Sequence, residues 1–345
     1  MQSNASPEDE LLVGGQALIE GVMMRSPGAY GVAVRRPDGS LAFQRGKVNS
    51  LARRFPILKL PILRGVAVLF QSLGLGIRSL NFSAEQAVAA AEAENPAAEP
   101  AAATPEETTQ ETSNWAIAGS MAFGLGLGVV VFLLAPLWLT HLGERYVFGG
   151  HLTNLQFNLL DGGLRAVFFL AYIWGISRMK DIHRVFQYHG AEHKVVFNYE
   201  KRLPLTVENA RVQSRLHPRC GTSFLLFVLL VSILVFALIP KTAPFLVKFG
   251  GRLLLVPAIA GLSYEVLRFT AKHRAAPLFA VLVAPGLALQ RITTQEPTDD
   301  MLEVAIAALE EALREDGLLA PSQTPIPVPA IVPSEMPGAA ARASL

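Results

Sequence analysis

Four side chains that suit a transition metal fall close together in the sequence. His189 and His193 frame the motif H-x-x-E-H, in which Glu192 is the acid, and His217 and Cys220 follow in the segment LHPRCGTS. On a helix, this motif places both histidines one turn apart on one face. It is the inverted form of H-E-x-x-H, in which two histidines bind zinc and the glutamate acts as general base. The sequence therefore predicts a site for zinc or another divalent transition metal, with Glu192 as the catalytic residue.

The motif alone does not complete such a site, because a catalytic zinc ion has three protein ligands and keeps a fourth position for water. The candidates for the third ligand are His183, Glu200, Glu208, His217 and Cys220. Gly190 inside the motif weakens the helix by about 1 kcal/mol. Histidines between membrane helices also bind lipid phosphate, and a buried cysteine packs as a small hydrophobe. A site without metal therefore stays open as the alternative.

The composition indicates an integral membrane protein. Of the 345 residues, 51% are hydrophobic and only 17% are charged, whereas a soluble domain has about 25% charged residues. The net charge of +2 gives no general attraction for polyanions, and we expect no binding of nucleic acid. The single cysteine excludes an internal disulfide. The first twenty residues include four acidic ones and no long apolar core, so we expect no cleavable signal peptide.

The apolar segments predict a mainly α, polytopic membrane protein with about four spanning helices. The predicted spans are residues 115–139, 159–177, 222–239 and 252–270, within a membrane domain over 115–291. Residues 56–80 and 277–290 are apolar but interrupted by basic residues or proline, which favours interfacial or re-entrant helices. A G-x-x-x-G motif at Gly124 and Gly128 permits close helix pairing. The expected partners are the lipid bilayer and a membrane-protein partner or a second copy in a homo-oligomer.

The remaining segments are polar. Residues 12–55 predict a small β-containing domain with a hairpin around Pro37-Asp38-Gly39, in which Glu20 and Arg25 could pair. Residues 298–315 predict an amphipathic helix that begins after Thr298. Disorder is predicted for residues 1–11, for the acidic linker 83–113 and for the tail 317–345.

The distribution of basic residues predicts the orientation. The connector 178–221 contains nine Lys and Arg residues, whereas the connector 140–161 contains one and the connector 240–252 contains three. Basic connectors stay in the cytoplasm. We therefore predict a multi-pass protein of the cell membrane with both termini, the β-containing domain and the metal motif on the cytoplasmic side.

Glu265 is an ionisable residue inside the predicted span 252–270. Such residues are costly in a membrane and often functional. Glu265 could reach towards the metal motif, or it could pair with Arg268 three residues later on the same helix face.

Long stretches of the chain closely resemble the YqhQ-like family of bacterial membrane proteins, over residues 12–80 and 115–315. The segments that carry this resemblance are GGQALIEGVMMRSP, FQYHGAEHKVVFNYE, LTVENARVQSRLHPRCGTSFLL, AGLSYEVLRF and LALQRITTQEPTDDMLEVAIAAL. The resemblance implies a bacterial inner-membrane protein whose family is a domain of unknown function, sometimes labelled a predicted metal-dependent enzyme. That label points to His189, Glu192, His193, His217 and Cys220.

Three functions remain open from the sequence. The first is a membrane-embedded metal-dependent hydrolase with its site at the cytoplasmic face. The second is a non-catalytic scaffold or assembly factor, in which the metal is structural or absent. The third is a transporter, suggested by Glu265 and by the two interrupted apolar helices.

Overall fold

The structure, a computed structural model, describes residues 13–48, 55–94, 119–120, 122–272 and 277–319. The strands are β1 (Gly14–Leu18), β2 (Gly21–Arg25), β3 (Ala29–Arg35) and β4 (Leu41–Lys47). The helices are α1 (Leu63–Glu94), α2 (Ala122–Tyr146, with a π-helical stretch at Val130–Leu134), α3 (Asn154–Ile176), α4 (Lys180–Glu200), α5 (Val207–Arg211), α6 (Gly221–Phe236), α7 (Phe245–Lys272), α8 (Pro277–Thr293) and α9 (Asp299–Asp316). The disorder predicted for 1–11 and for most of 317–345 lies outside the described residues.

Among the residues that the structure describes, three helices, α2, α3 and α7, are long and apolar enough to cross a membrane. They correspond to three of the four predicted spans. The predicted span 222–239 forms α6, which has 16 residues, fewer than the roughly 20 that a span needs. The helix is short because both of its ends are terminated. Cys220 caps the first turn, and the chain leaves the helix in a turn ahead of Pro240.

Helix α1 is longer than the predicted interfacial segment 56–80. A short 3₁₀ turn, Pro56–Lys59, precedes it, and the helix continues through residues 83–94. The prediction of a disordered linker is therefore wrong for these residues, while 95–113 lie outside the described residues. The sequence SAEQAVAAAEAE explains the difference, because alanine, glutamate and glutamine are among the best helix formers.

The β-containing domain is a four-stranded antiparallel meander in the order β1-β2-β3-β4. The predicted hairpin joins β3 to β4, with Arg35 opposite Leu41. Gly39 has a φ of 83°, and the Asp38 carboxylate accepts hydrogen bonds from the backbone and hydroxyl of Ser40 at 2.9 and 2.6 Å. The prediction of a hairpin at this place is confirmed.

The sheet packs between helices on both faces. Because side chains alternate along a strand, Val22 and Met24 enter one core with α4 and α9, while Met23 enters the other, against α1. The apolar face predicted for α9 is buried in the first core, with Leu302, Ile306, Leu309 and Leu313 at most 2% exposed. Helix α4, which carries the metal motif, lies beside α9 and against the edge strand β1.

Glu20 anchors the sheet to α4. It occupies the tight turn between β1 and β2 with a φ of 54°, and its carboxylate accepts hydrogen bonds from the Arg184 guanidinium and the Tyr188 hydroxyl. Its ion pair is therefore with Arg184 and not with Arg25, the partner considered from the sequence.

Candidate metal centre

Two segments of the chain cross closely at the metal motif on α4, and this contact holds the motif in place. The chain after α8 passes over Gly190, where an added Cβ would lie 2.1 Å from the Gln295 carbonyl oxygen. The Gln295 amide donates to the Phe186 carbonyl at 2.8 Å. The glycine that weakens the helix in isolation thus permits the crossing that brings the end of α8 to the histidines.

The two motif histidines are held in the same way. His189 Nδ1 lies 2.8 Å from the carbonyl oxygen of Thr293, and His193 Nδ1 lies 2.5 Å from that of Arg215. A carbonyl oxygen only accepts hydrogen bonds, so each Nδ1 must carry the proton and donate it. In a neutral ring this leaves each Nε2 with a lone pair. Metal-binding histidines are commonly fixed in this tautomer by such an outer hydrogen bond.

Both lone pairs point into a group of other acceptors. His189 Nε2 lies 3.1 Å from the Cys220 sulfur, and the Glu192 Oε2 atom lies 4.0 Å from His189 Nε2 and 3.6 Å from His193 Nε2. His193 Nε2 is buried and has no hydrogen-bond partner among the described residues. A buried acceptor without a donor is unfavourable, and the thiol proton can serve only one of these atoms. A cation at their centre would satisfy all of them.

Burial shifts the pKa values of two of these groups in the direction that a metal site requires. Burial lowers the pKa of His193, although the nearby Cys220 and the hydrogen bond to Arg215 partly offset it, and this favours the neutral imidazole that a metal ligand requires. Burial raises the pKa of Glu192, against the opposing effects of His189, His217 and the Gly15 amide. A raised pKa makes this carboxylate a stronger proton acceptor than an ordinary glutamate.

Cys220 reaches the group because it caps α6. Its sulfur accepts a hydrogen bond from the Thr222 amide at 3.4 Å and lies 3.2 Å from the Thr222 hydroxyl. The preceding turn is closed by the Cys220 amide, which donates to the His217 carbonyl at 3.3 Å. The segment HPRC thus fixes the cysteine at the start of an apolar helix, facing α4.

This arrangement fits zinc. The ligand atoms of His189, His193 and Cys220 lie within 4.8 Å of one another, and ligand atoms around tetrahedral zinc are about 3.5 Å apart. Small side-chain shifts would therefore bring all three onto one ion. Three protein ligands leave the fourth position open, and the group lines a cavity of about 380 Å³. A catalytic site has this form, whereas a structural zinc site is closed by four protein ligands.

His217 lies beside this group with both ring nitrogens engaged. Its Nε2 is 3.2 Å from the Glu200 carboxylate, and its Nδ1 accepts a hydrogen bond from the Arg219 amide at 3.3 Å. Its ring packs 4.4 Å from that of Phe197 and 5.7 Å from that of His193, centroid to centroid. In this structure Glu200 is the partner of His217, and the role of His217 as a metal ligand stays a prediction.

The other candidates lie elsewhere. His183 and Glu208 are exposed and do not line the cavity. The Glu265 carboxylate accepts two hydrogen bonds from Arg64 at the start of α1, and this ion pair joins α1 to α7. The sequence analysis considered Glu265 as part of the metal site or as the partner of Arg268. Its main contact is instead with Arg64.

Three further contacts could not be recognised from residue types. Thr293 and Arg215 orient the histidines through backbone oxygens, which a residue of any type supplies. Gly15 lies so close to α4 that an added Cβ would be 2.8 Å from the Glu192 Cγ, and its amide lowers the pKa of that carboxyl.

We expect Gly190→Ala to destabilise the protein and to weaken metal binding. Alanine favours a helix by about 1 kcal/mol, but here its Cβ would meet the Gln295 carbonyl and displace the chain that carries Thr293. A net loss of about 1–3 kcal/mol is expected, measured by thermal unfolding in detergent. Gly163→Ala is the control, because an added Cβ there meets nothing within 4 Å. Equal stability of both variants would show that the crossing is not tight.

Comparison with known proteins identifies a family but no activity. A model for the family described as "Protein of unknown function (DUF1385)" matches residues 60–315. The chain is 38% identical over 312 residues to "Uncharacterized protein YqhQ" of Bacillus subtilis (strain 168), covering 90% of this chain and 95% of the relative. No solved structure matches it significantly. With the family match spanning most of the chain and this relative aligned over nearly its whole length, the protein belongs to the YqhQ-like family DUF1385.

Proposed function

We propose that this protein is a metal-dependent hydrolase of the bacterial inner membrane, with its site at the cytoplasmic face. One observation carries the proposal: the ligand atoms of His189, His193 and Cys220 lie within 4.8 Å of one another, and the Glu192 carboxylate lies 3.6 Å from His193 Nε2, beside a cavity that all four residues line. Zinc or another divalent transition metal is the cofactor that this donor set suits best.

The proposed orientation has both termini in the cytoplasm and α6 as a fourth, short span. The nine basic residues of 178–221 support a cytoplasmic position for α4. The sheet and α9 pack directly against α4, so they lie on the same side. This places the site at the membrane surface, where the apolar helix α6 begins.

In the proposed reaction, His189, His193 and Cys220 would hold a divalent ion, which would supply Lewis-acid chemistry and make water a better nucleophile. Glu192 takes a proton from the attacking water and passes it to the leaving group. The Gly15 amide and the close packing of β1 hold the carboxylate towards the cavity. Thr293 and Arg215 keep both imidazoles in the ligating tautomer.

The test is the Glu192→Gln variant, assayed with wild type after loading with zinc. We expect the variant to keep its zinc and to lose turnover by at least about 100-fold, the usual contribution of a general base. Substrates would be a small ester, a phosphate ester and an unfolded polypeptide. Zinc content and thermal unfolding, measured on the same samples, report on the site and the fold.

Glu208→Gln is the matched control, because Glu208 is exposed and outside the cavity. Loss of zinc in Glu192→Gln would indicate that Glu192 is a metal ligand and not the general base. Turnover that survives the substitution, or a zinc-loaded wild type inactive on all substrates, would favour the scaffold. The transporter has less support, because the ion pair with Arg64 gives Glu265 a structural role.

A further inference from the structure

Strand β1 is an edge of the sheet, and its hydrogen-bonding pattern shows which groups face outwards. The Arg35 amide donates to the Glu20 carbonyl at 2.8 Å, so Glu20 and every second residue after it in β2 turn their backbone groups to β3. The alternate residues of β2, beginning with Gly21, therefore pair with β1, and Gly21 lies opposite Leu18. By the same alternation, Gln16 is bonded to β2.

It follows that Gly15 and Ala17 direct their amides and carbonyls away from the sheet. The Gly15 amide faces the Glu192 carboxylate. Within the described part of the chain, the Ala17 amide and carbonyl have no hydrogen-bond partner. Unpaired backbone groups on an edge strand, here those of Ala17, are a template for an added strand.

This open edge borders the candidate metal centre. The cavity that contains the histidines, Cys220 and Glu192 is also lined by Val13, Gly14, Gly15, Gln16 and Ala17. Gly15 is exposed and has no side chain to obstruct an incoming backbone. A strand added to β1 would run about 4.8 Å away from it, which keeps its backbone alongside Glu192.

We propose that the substrate is a polypeptide, bound in extended form as an additional strand on β1. The Ala17 amide donates to a substrate carbonyl, and the Gly15 and Ala17 carbonyls accept from substrate amides. The inference rests on the proposed hydrolase function and specifies its substrate class. Water adds across the scissile amide: its oxygen bonds to the carbonyl carbon, the C–N bond breaks, and Glu192 delivers a proton to the departing nitrogen.

The recognition groups are backbone groups in a row, and this favours a peptide over other hydrolase substrates. An ester or phosphate ester offers no repeating donor and acceptor pattern to match them. Edge pairing gives affinity without requiring a particular side chain. We therefore expect broad sequence tolerance at the positions that pair with Gly15 and Ala17.

The test compares Ala17→Pro with Ala17→Ser. Proline removes the outward amide but leaves the ladder to β2 intact, since that ladder uses Gln16 and Leu18. The preceding residue is already extended, as proline requires. We expect Ala17→Pro to lower cleavage of β-casein, an unfolded polypeptide, at least tenfold, while zinc content and hydrolysis of p-nitrophenyl acetate stay within twofold of wild type. Ala17→Ser should resemble wild type in all three.

Equal cleavage of β-casein by both variants would overturn the proposal. A second measurement covers the case in which proline disturbs the site: hydrogen exchange of Glu192→Gln with and without β-casein. Slower exchange at the Ala17 amide, with no change in the other edge strand, β4, supports edge pairing, and an unchanged Ala17 amide overturns it. If zinc-loaded wild type cleaves neither β-casein nor the ester, the hydrolase function itself has failed, whatever the exchange shows at β1.

Discussion

The His193→Ala variant should lose the zinc that the wild-type protein retains. His193 is 1% exposed, and its Nε2 has no hydrogen-bond partner in the described part of the chain. Its removal leaves only His189 and Cys220 as ligands. Loss of an outer-shell partner alone weakens metal binding by 10–100-fold, and we expect loss of a ligand to exceed about 100-fold. The measurement is metal content by mass spectrometry after dialysis against a buffer of fixed free zinc concentration.

Two other histidines serve as controls for this experiment. His183→Ala changes an exposed histidine on the same helix and should keep one zinc per chain. His217→Ala should also keep it, because the His217 nitrogens are engaged by Glu200 and Arg219. If His217→Ala loses zinc as completely as His193→Ala, His217 is a ligand, as the sequence suggested. If the wild type retains no zinc or other transition metal, the proposed cofactor is wrong.

The local parts of this site could be predicted from sequence because they depend on helix periodicity. His189 and His193 are one turn apart on any α-helix, and the structure brings them together with Cys220. The buried face of α9 follows from the same periodicity. The turn at Asp38 and Gly39 was predictable because it depends on the conformational preferences of a few adjacent residues.

The long-range parts could not be predicted in this way. Glu265 meets Arg64, 201 residues away, and only the packing of α1 on α7 brings them together. The turn between β1 and β2 has Glu20 at positive φ. A glycine at this position would have allowed the turn to be predicted from the sequence. The groups that orient His189 and His193 are backbone oxygens. Every residue type has one, so the sequence does not indicate which residues supply them.

The second large effect should come from Asp161, which balances two buried guanidinium groups. Its Oδ1 accepts a hydrogen bond from Arg252 and its Oδ2 one from Arg165, both at 2.7 Å. The side chains of these three residues are at most 6% exposed. Both guanidinium groups also stack on Phe236, with the carbon of each about 5 Å from the ring centre, at 4.7 and 5.1 Å. The cluster therefore joins α3, α6 and α7.

We expect Asp161→Ala to lower the free energy of unfolding by about 3–5 kcal/mol, because it leaves two like charges buried without a counter-charge. Thermal unfolding in detergent would measure the loss. Glu144→Ala is the control: its carboxylate pairs with Lys241 at 2.9 Å, but those side chains are 16% and 25% exposed, and an exposed pair contributes about 0–1 kcal/mol. Similar losses in both variants would show that burial of the Asp161 cluster has no special importance.

Two further variants separate charge balance from hydrogen bonding as the cause of that loss. Asp161→Asn keeps the size and an acceptor oxygen but not the charge, so its loss should approach that of Asp161→Ala. Replacing Arg165 and Arg252 by methionine together with Asp161→Leu removes every charge of the cluster and should recover much of the stability, because buried ion pairs can be exchanged for apolar residues at small cost. A triple variant as unstable as Asp161→Ala would mean that the three helices depend on the directed hydrogen bonds of the carboxylate, and that charge balance is secondary.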